Sequence, residues 1–312
     1  MTEHFVTLFN KNFLPIGLNL YDSLEKNLSD FKLWVLCVDK ETELYLKKIN
    51  RPSLQTISIE EYETDILKSI KKKRSIGEYC WTLTPLAPKK VFDIDKSIKR
   101  VTYLDADMFF FKNIDLIFKE FEKSDKSILI TEHDFDTDHA YKEKISGKYI
   151  VQFIIFKRDV SEKVRKWWEE KCLEKCSENS SNNLIGDQGY LDDWHIRFDK
   201  DVHVLKNNDA FRSTWNIKKL NFEKLVAWHF HGLRIINKNL VQLHTEKKLP
   251  KNIISEIYQP YLKNLKNNIK QINFKKNQIG NSKNFFYKFL NKINLYLIEK
   301  KLINNPRYYI FK

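Results

Sequence analysis

A chain of 312 residues with 42% hydrophobic and 14% aromatic content can bury a substantial core, which excludes global disorder. Its net charge of +14 is unevenly placed: residues 246–312 hold 15 Lys and Arg against three Glu, a net of +12, while residues 1–245 hold 40 basic against 38 acidic. The expectation is a nearly neutral domain, 1–245, followed by a basic tail, 246–312, and not a basic nucleic-acid-binding body.

Cys37, Cys80, Cys172 and Cys176 form no CxxC pair of the kind structural zinc or a redox site uses, so reduced thiols are expected. The opening MTEHFVTLFN runs directly into a strand-like segment without a signal-peptide pattern, and no apolar stretch reaches the roughly 20 residues that cross a bilayer. A cytoplasmic protein is expected, with peripheral contact to the inner face of the membrane at most.

In chain order, residues 4–10 read as a strand, 15–27 as a helix, 32–39 as a second strand ending in Asp39, and 55–61 as a third. Strand, helix, strand in succession predicts parallel pairing with right-handed crossovers, and a ligand crevice at the carboxyl ends of the strands. A helix through WTLTPLAPKKVFDI, kinked near Pro85 and Pro88, leads to a fourth strand, RVTYLDADMFF. Residues 126–133 and 147–159 read as further strands, 160–176 as a helix started by Asp159 or Ser161, and GDQGYLDDW as the opening of another. Residues 201–207 and 224–232 complete the strands, the last ending in His229 and His231, and the folded domain is expected to end near Leu243. The fold class is α/β: a mixed, mostly parallel central sheet with helices on both faces, plus a basic helical extension.

The carboxylates of Asp105 and Asp107 stand in an otherwise apolar run, YLDADMFFF. On an extended backbone, side-chain direction repeats every two residues, so both point to one side and reach one cation. Buried without a metal or a basic partner, each costs several kcal/mol; the alternative is that the strand has ended and the pair meets water. An imidazole from His229 or His231 would make a mixed N/O site that suits manganese better than calcium. The acidic loop Asp134, Asp136, Asp138 fails as a calcium loop, with His139 at the glycine position and Ile145 at the glutamate position, and reads as a solvated loop or a contact to a polar substrate.

The order of strands and helices, then LDAD, GDQ and HFHG, resembles the GT-A class of nucleotide-sugar glycosyltransferases, in particular the glycogenin-like retaining family and related bacterial surface-polysaccharide enzymes, over roughly residues 3–243. The signature H-F/Y-x-G-x-x-K is matched by His229, Phe230 and Gly232, with Arg234 as the basic residue, and this selects His229 over His231. The resemblance implies Mn²⁺ (or Mg²⁺) held by Asp105, Asp107 and His229. It also implies that Asp187 and Gln188 act near the donor sugar as the catalytic pair. Phe9, Asn10, Asp39, Arg74, Asp105, Ala106, Asp107, Gly232 and Arg234 are implied as donor-binding residues, with Lys73 the alternative to Arg74. Where the family carries an Asn-Ser-Gly type strand before DQ, VQFIIF here offers only Gln152 as a polar residue. Trp215 and Asn216 are candidates for the acceptor side, because aromatic faces suit sugar C–H surfaces, with core packing the alternative.

The function expected is transfer of a sugar from a nucleotide-diphosphate sugar, a UDP-sugar first, to a glycan or lipid-linked glycan acceptor. The competing classes are a metal-dependent phosphohydrolase and a non-catalytic protein binding anionic lipid or nucleic acid; no nucleic-acid-binding motif is present. In the tail, residues 285–303 place Phe286, Leu290, Ile293 and Leu297 on one helical face, away from Lys288, Asn291 and Lys292, which suits an anionic membrane surface or packing on the protein itself.

Overall fold

The computed structural model describes residues 2–178, 185–244, 248–272, 292 and 294–311. Two compact units are present, Met1–His229 and Phe230–Lys312.

The first unit is built on seven strands: β1 (Glu3–Phe9), β2 (Phe31–Cys37), β3 (Leu54–Ser58), β4 (Arg100–Leu104), β6 (Ile128–Glu132), β7 (Tyr149–Lys157) and β8 (Val202–Val204). They lie in the order β3-β2-β1-β4-β7-β6-β8. The run β3-β2-β1-β4 is parallel, β7 is antiparallel to both neighbours, and β6 pairs parallel with β8. The apolar run LWVLC that follows Lys32 in β2 matches its place, because a strand covered on both faces has no solvent side to mark with polar residues.

The helices follow from local signals. Asp39 caps Lys40–Ile49 by accepting from the Thr42 N–H, Thr64 caps Asp65–Lys73, and Ser75 with Glu78 forms a capping box on Ile76–Leu83. The expected kink is a break at Thr84–Pro85 between Ile76–Leu83 and Leu86–Ile94. The helix Glu162–Glu174 starts at Ser161, whose hydroxyl donates to the Lys157 carbonyl instead of capping, and the GDQ segment forms a 3₁₀ turn, Gln188–Leu191, before the short helix Trp194–Arg197.

One expectation needs correcting. The run YLDADMFFF is not a single strand: β4 ends at Leu104, the chain turns through Asp105–Asp107 with the Met108 N–H donating to the Asp105 carbonyl at 3.1 Å, and Met108–Phe110 (β5) enters a second sheet. There β5 pairs antiparallel with β10 (Ala227–His229), which pairs in turn with β9 (Phe211–Arg212). The helix Leu14–Asn27 pins β5, since the Phe110 N–H donates to Ser23 Oγ at 3.1 Å and Asn27 Nδ2 donates to the Phe110 carbonyl at 3.0 Å.

In the second unit β11 (Arg234–Ile235), β12 (Leu240–Gln242) and β13 (Tyr308–Ile310) form an antiparallel sheet, and a helix spans Gln259–Ile272. Of the expected tail helix, Phe286, Lys288, Leu290, Asn291 and Ile293 lie outside the described residues. Residues 294–299 are helical, with Leu295 and Ile298 buried against Ile236 and Leu240, and Glu299 accepts from Asn237 and Asn239. No helix among the described residues is long and apolar enough to cross a membrane.

Close packing of Leu14–Asn27 on β1 depends on Gly17, where an added Cβ would lie 2.3 Å from the buried Phe9 ring. Gly17→Ala is predicted to cost about 1–3 kcal/mol by overpacking, measured by denaturant unfolding. Gly77→Ala, whose Cβ meets only Ser75 Oγ at 4.0 Å, is predicted to be neutral or stabilising; an unshifted midpoint for Gly17→Ala would refute the packing argument.

Candidate active site

Three chain segments meet at the carboxyl end of the central strand β4. The 105–107 turn supplies two carboxylates, and the antiparallel register that sets His229 opposite Met108 brings its imidazole beside them. His229 Nε2 lies 3.0 Å from Asp107 Oδ1 and 3.8 Å from Asp105 Oδ2. On its other side, Nδ1 is 3.1 Å from Gln152 Oε1, and the Trp215 ring meets the imidazole edge to face at 5.5 Å. Asp105 is held from behind by the Tyr103 hydroxyl, which donates to Oδ1 at 3.1 Å, and its N–H donates to the Gln152 carbonyl at 3.1 Å.

The electrostatics record this crowding. Burial pushes Asp105 up, His229 draws it back, and the charges of Asp107 and Asp187 push it further, to about 8. Burial acts to lower His229, but the charge and hydrogen bond of Asp107, with the charge of Asp105, outweigh it and hold the ring above the ordinary histidine value. Asp187 is buried and raised to about 7 by desolvation, against hydrogen bonds from Thr84 and from the N–H groups of residues 187 and 188. The charge of Asp187 acts on both Asp105 and Tyr103, so the three belong to one electrostatic environment.

Other expected residues stand as follows. Phe9, Asn10 and Asp39 come together at the ends of β1 and β2, where the Val38 N–H donates to the Phe9 carbonyl and the Lys11 N–H to Asp39 Oδ2 at 2.9 Å. Asp39 Oδ1 caps its helix and Asn10 Oδ1 accepts from the Asn12 N–H, so their polar atoms shape the turn. Arg74 is not brought to the acid pair: its guanidinium donates to Thr82 and to the carbonyls of Cys172 and Leu173, closing the carboxyl end of Glu162–Glu174. Ala106 is buried within the turn. Gln188 donates to the Ser146 carbonyl at 3.1 Å. Trp215 and Asn216 are buried, and both donate to the His133 carbonyl at 2.9 Å.

Gly232 and Arg234 belong to the second unit. Gly232 has φ +82°, a turn conformation that favours glycine, and Arg234 donates to the Leu233 carbonyl. Arg234 stands two residues after Gly232, one short of the lysine in the H-F/Y-x-G-x-x-K pattern, whose place is taken by the buried Ile235. His231 is exposed.

The loop Asp134–Asp138 is not simply solvated, since Asp134 pairs with Arg212 and Lys219, Asp138 with Lys218, and the buried Asp136 accepts from His139. Its charges serve to clamp this loop to residues 212–219.

Sequence reasoning missed Gln152, Tyr103 and Thr84 as parts of the site. Gln152 was visible as the sole polar residue of VQFIIF, whereas Tyr103 and Thr84 carry no signal that separates them from core residues.

No protein-family model matches the chain. Among solved structures it is similar to mouse xyloside xylosyltransferase 1 in its apo form, with a TM-score of 0.50 and 13% identity over 74% of this chain and 98% of that one. The apo structure of the bifunctional glycosyltransferase WbbM gives a TM-score of 0.54 and 11% identity, covering 87% of this chain and 51% of WbbM. The apo glycosyltransferase GlyE of Streptococcus pneumoniae TIGR4 gives 0.51 and 12%, covering 89% of this chain and 65% of GlyE. The fold is that of a GT-A-like glycosyltransferase.

In sequence, the chain is 30% identical over 281 residues to the uncharacterised protein YfnF of Bacillus subtilis (strain 168), covering 84% of this chain and 92% of YfnF. The chain belongs to the same family as YfnF. YfnD of the same organism is 27% identical over 286 residues, covering 87% of this chain and 91% of YfnD.

The raised carboxyls fix the sign of a pH effect. An unfolded Asp titrates near ~3.9. The folded, metal-free protein therefore holds protons on Asp105 up to about 8 and on Asp187 up to about 7 that the unfolded chain has already released. Stability must fall as pH rises through that window, and raised His229 adds a loss of the same sign. The melting temperature in chelator is predicted to drop from pH 5 to pH 8.5, with a shallower drop in Asp187→Asn; a rise over that interval would contradict the assignment.

Proposed function

We propose that this chain is a metal-dependent glycosyltransferase of the GT-A type. It would move a sugar from a nucleotide-diphosphate sugar, a UDP-sugar in the first instance, to a glycan or lipid-linked glycan acceptor in bacterial surface-polysaccharide synthesis. The observation that carries the reading is the meeting of Asp105, Asp107 and His229 at the carboxyl end of the central strand of this fold.

The residues present fit a divalent cation. Two carboxylates and one imidazole make a donor set suited to Mn²⁺ or Mg²⁺, and Asp105 is raised by burial first and then by the charges of Asp107 and Asp187, a cost that a cation would relieve. When bound, such an ion would supply Lewis-acid stabilisation of the charge that develops on the leaving diphosphate.

The chain's own residues do the rest. Asp187, with Gln188 next to it, is proposed to orient the donor sugar, and a carboxyl that titrates near 7 suits proton exchange at neutral pH. Phe9, Asn10 and Asp39 shape the strand ends proposed to receive the base and ribose, while Gly232 and Arg234 are proposed to approach the diphosphate. Trp215, seated against His229, is proposed to border the acceptor side together with Asn216. The nature of the three structural neighbours, all glycosyltransferases by name, supports the reaction class.

A panel of nucleotide sugars, with and without Mn²⁺, is predicted to raise the melting temperature for one donor only when the metal is present. Asp105→Asn and Asp107→Asn are each predicted to lower transfer from that donor by about a hundredfold or more; full turnover in the double variant would sink the proposal.

The net charge of +12 carried by residues 246–312 supports a further part of the reading, peripheral contact with anionic headgroups, each Lys or Arg near such a surface contributing about 1 kcal/mol. The buried Leu295 and Ile298 are already used inside the second unit, so charge is the expected driving force. Co-sedimentation with anionic vesicles is predicted to exceed that with neutral ones and to fall with added salt; equal recovery on both would rule the contact out.

A further inference from the structure

Gln152 is buried in the middle of β7 and makes two contacts to the acid and imidazole side of the site. Its main-chain carbonyl accepts from the Asp105 N–H at 3.1 Å, and its side-chain Oε1 lies 3.1 Å from His229 Nδ1. Its Nε2 donates to Thr131 Oγ1 at 3.4 Å, on the side of the amide away from the ring. The β6 and β7 ladder shifts register between Leu129 and Thr131, beside Gln152, and irregularities of this kind re-aim side chains next to functional sites.

A carbonyl oxygen can only accept. Facing Nδ1, it favours the ring with a proton on Nδ1, while the Asp107 carboxylate at 3.0 Å accepts from Nε2 when that nitrogen is protonated. With the Nδ1 proton held by Gln152, Nε2 is the nitrogen that can give up its proton, directed at Asp107 and, at 3.8 Å, Asp105. Trp215, edge on at 5.5 Å, contacts the ring in addition to this hydrogen bond.

We propose that Gln152 is a positioning residue that fixes the tautomer and ring orientation of His229, so that Nε2 is presented for a divalent cation shared with Asp105 and Asp107. This rests on the metal-site reading above. It assigns a role to the amide that replaces an Asn-Ser-Gly type strand in this chain.

The test uses the full chain in four forms: wild type, Gln152→Met, Gln152→Leu and Gln152→Glu, the last keeping an acceptor oxygen. Mn²⁺ affinity is measured calorimetrically. The proton position on His229 is read from imidazole ¹⁵N shifts of the metal-free protein, at a pH where the ring is neutral. In whichever apolar variant folds, Mn²⁺ binding is expected to weaken about 10–100-fold, with the ring proton moved toward Nε2, where Asp107 accepts it. Gln152→Glu is expected to restore both the Nδ1 proton and affinity within a few-fold of wild type. Wild-type affinity and an unchanged Nδ1 proton in a folded apolar variant would overturn the proposal, as would failure of Gln152→Glu to restore the tautomer. If the wild type itself binds no Mn²⁺, the metal-site reading fails, and the ¹⁵N shifts alone still decide whether Gln152 sets the ring.

Discussion

The site is governed by one constraint: two partly buried carboxylates on a three-residue turn must be kept close to each other and to one imidazole. Removing ionised groups from water costs several kcal/mol each, so such a turn persists only where its surroundings fix it from several directions. Here β4 holds it on one side and β5 on the other, with Ser23 and Asn27 of the first helix anchoring β5. Tyr103 and the Gln152 carbonyl then fix Asp105 itself. Burial first, and then the charges of Asp107 and Asp187, raise Asp105 above the usual carboxylate range.

The second acidic cluster offers a contrast inside the same unit. Asp134 and Asp138 stand in a sequence denser in carboxylates than YLDAD, yet they face Arg212, Lys219 and Lys218. Matched by fixed cations, these acids tie one loop to another. At the 105–107 turn the basic group is an imidazole, whose nitrogen can give up a proton and become a ligand, which Arg and Lys side chains do not readily do. The chemistry available therefore differs because of the partner, although the acids are the same.

Much of the sheet was legible because β1, β2, β6 and β7 contain apolar runs long enough to be strands and bounded by polar residues. The caps at Asp39 and at Ser75 with Glu78 are local patterns as well, though sequence reasoning gave Asp39 to the donor and passed over the other two. The break inside YLDADMFFF was not, since both halves are apolar strands and the change of sheet depends on pairing with Ala227–His229, more than a hundred residues away. Arg74 shows the same dependence on distant partners. Next to three lysines it resembles a phosphate ligand, but the carbonyls it caps lie at Cys172 and Leu173. Gln152 was noticed only as a departure from a pattern, because nothing local tells which distant ring a buried amide will meet.

Asp187 reaches the environment of the 105–107 turn from a later segment of the chain, at the start of the 3₁₀ turn Gln188–Leu191. Burial is the first cause that lifts Asp105, and the charge of Asp187 adds to it. Burial likewise lifts Asp187. Carboxyls that share surroundings poor in water ionise less readily together than apart, so the environment around the turn is set by segments distant in sequence as much as by the acids it carries.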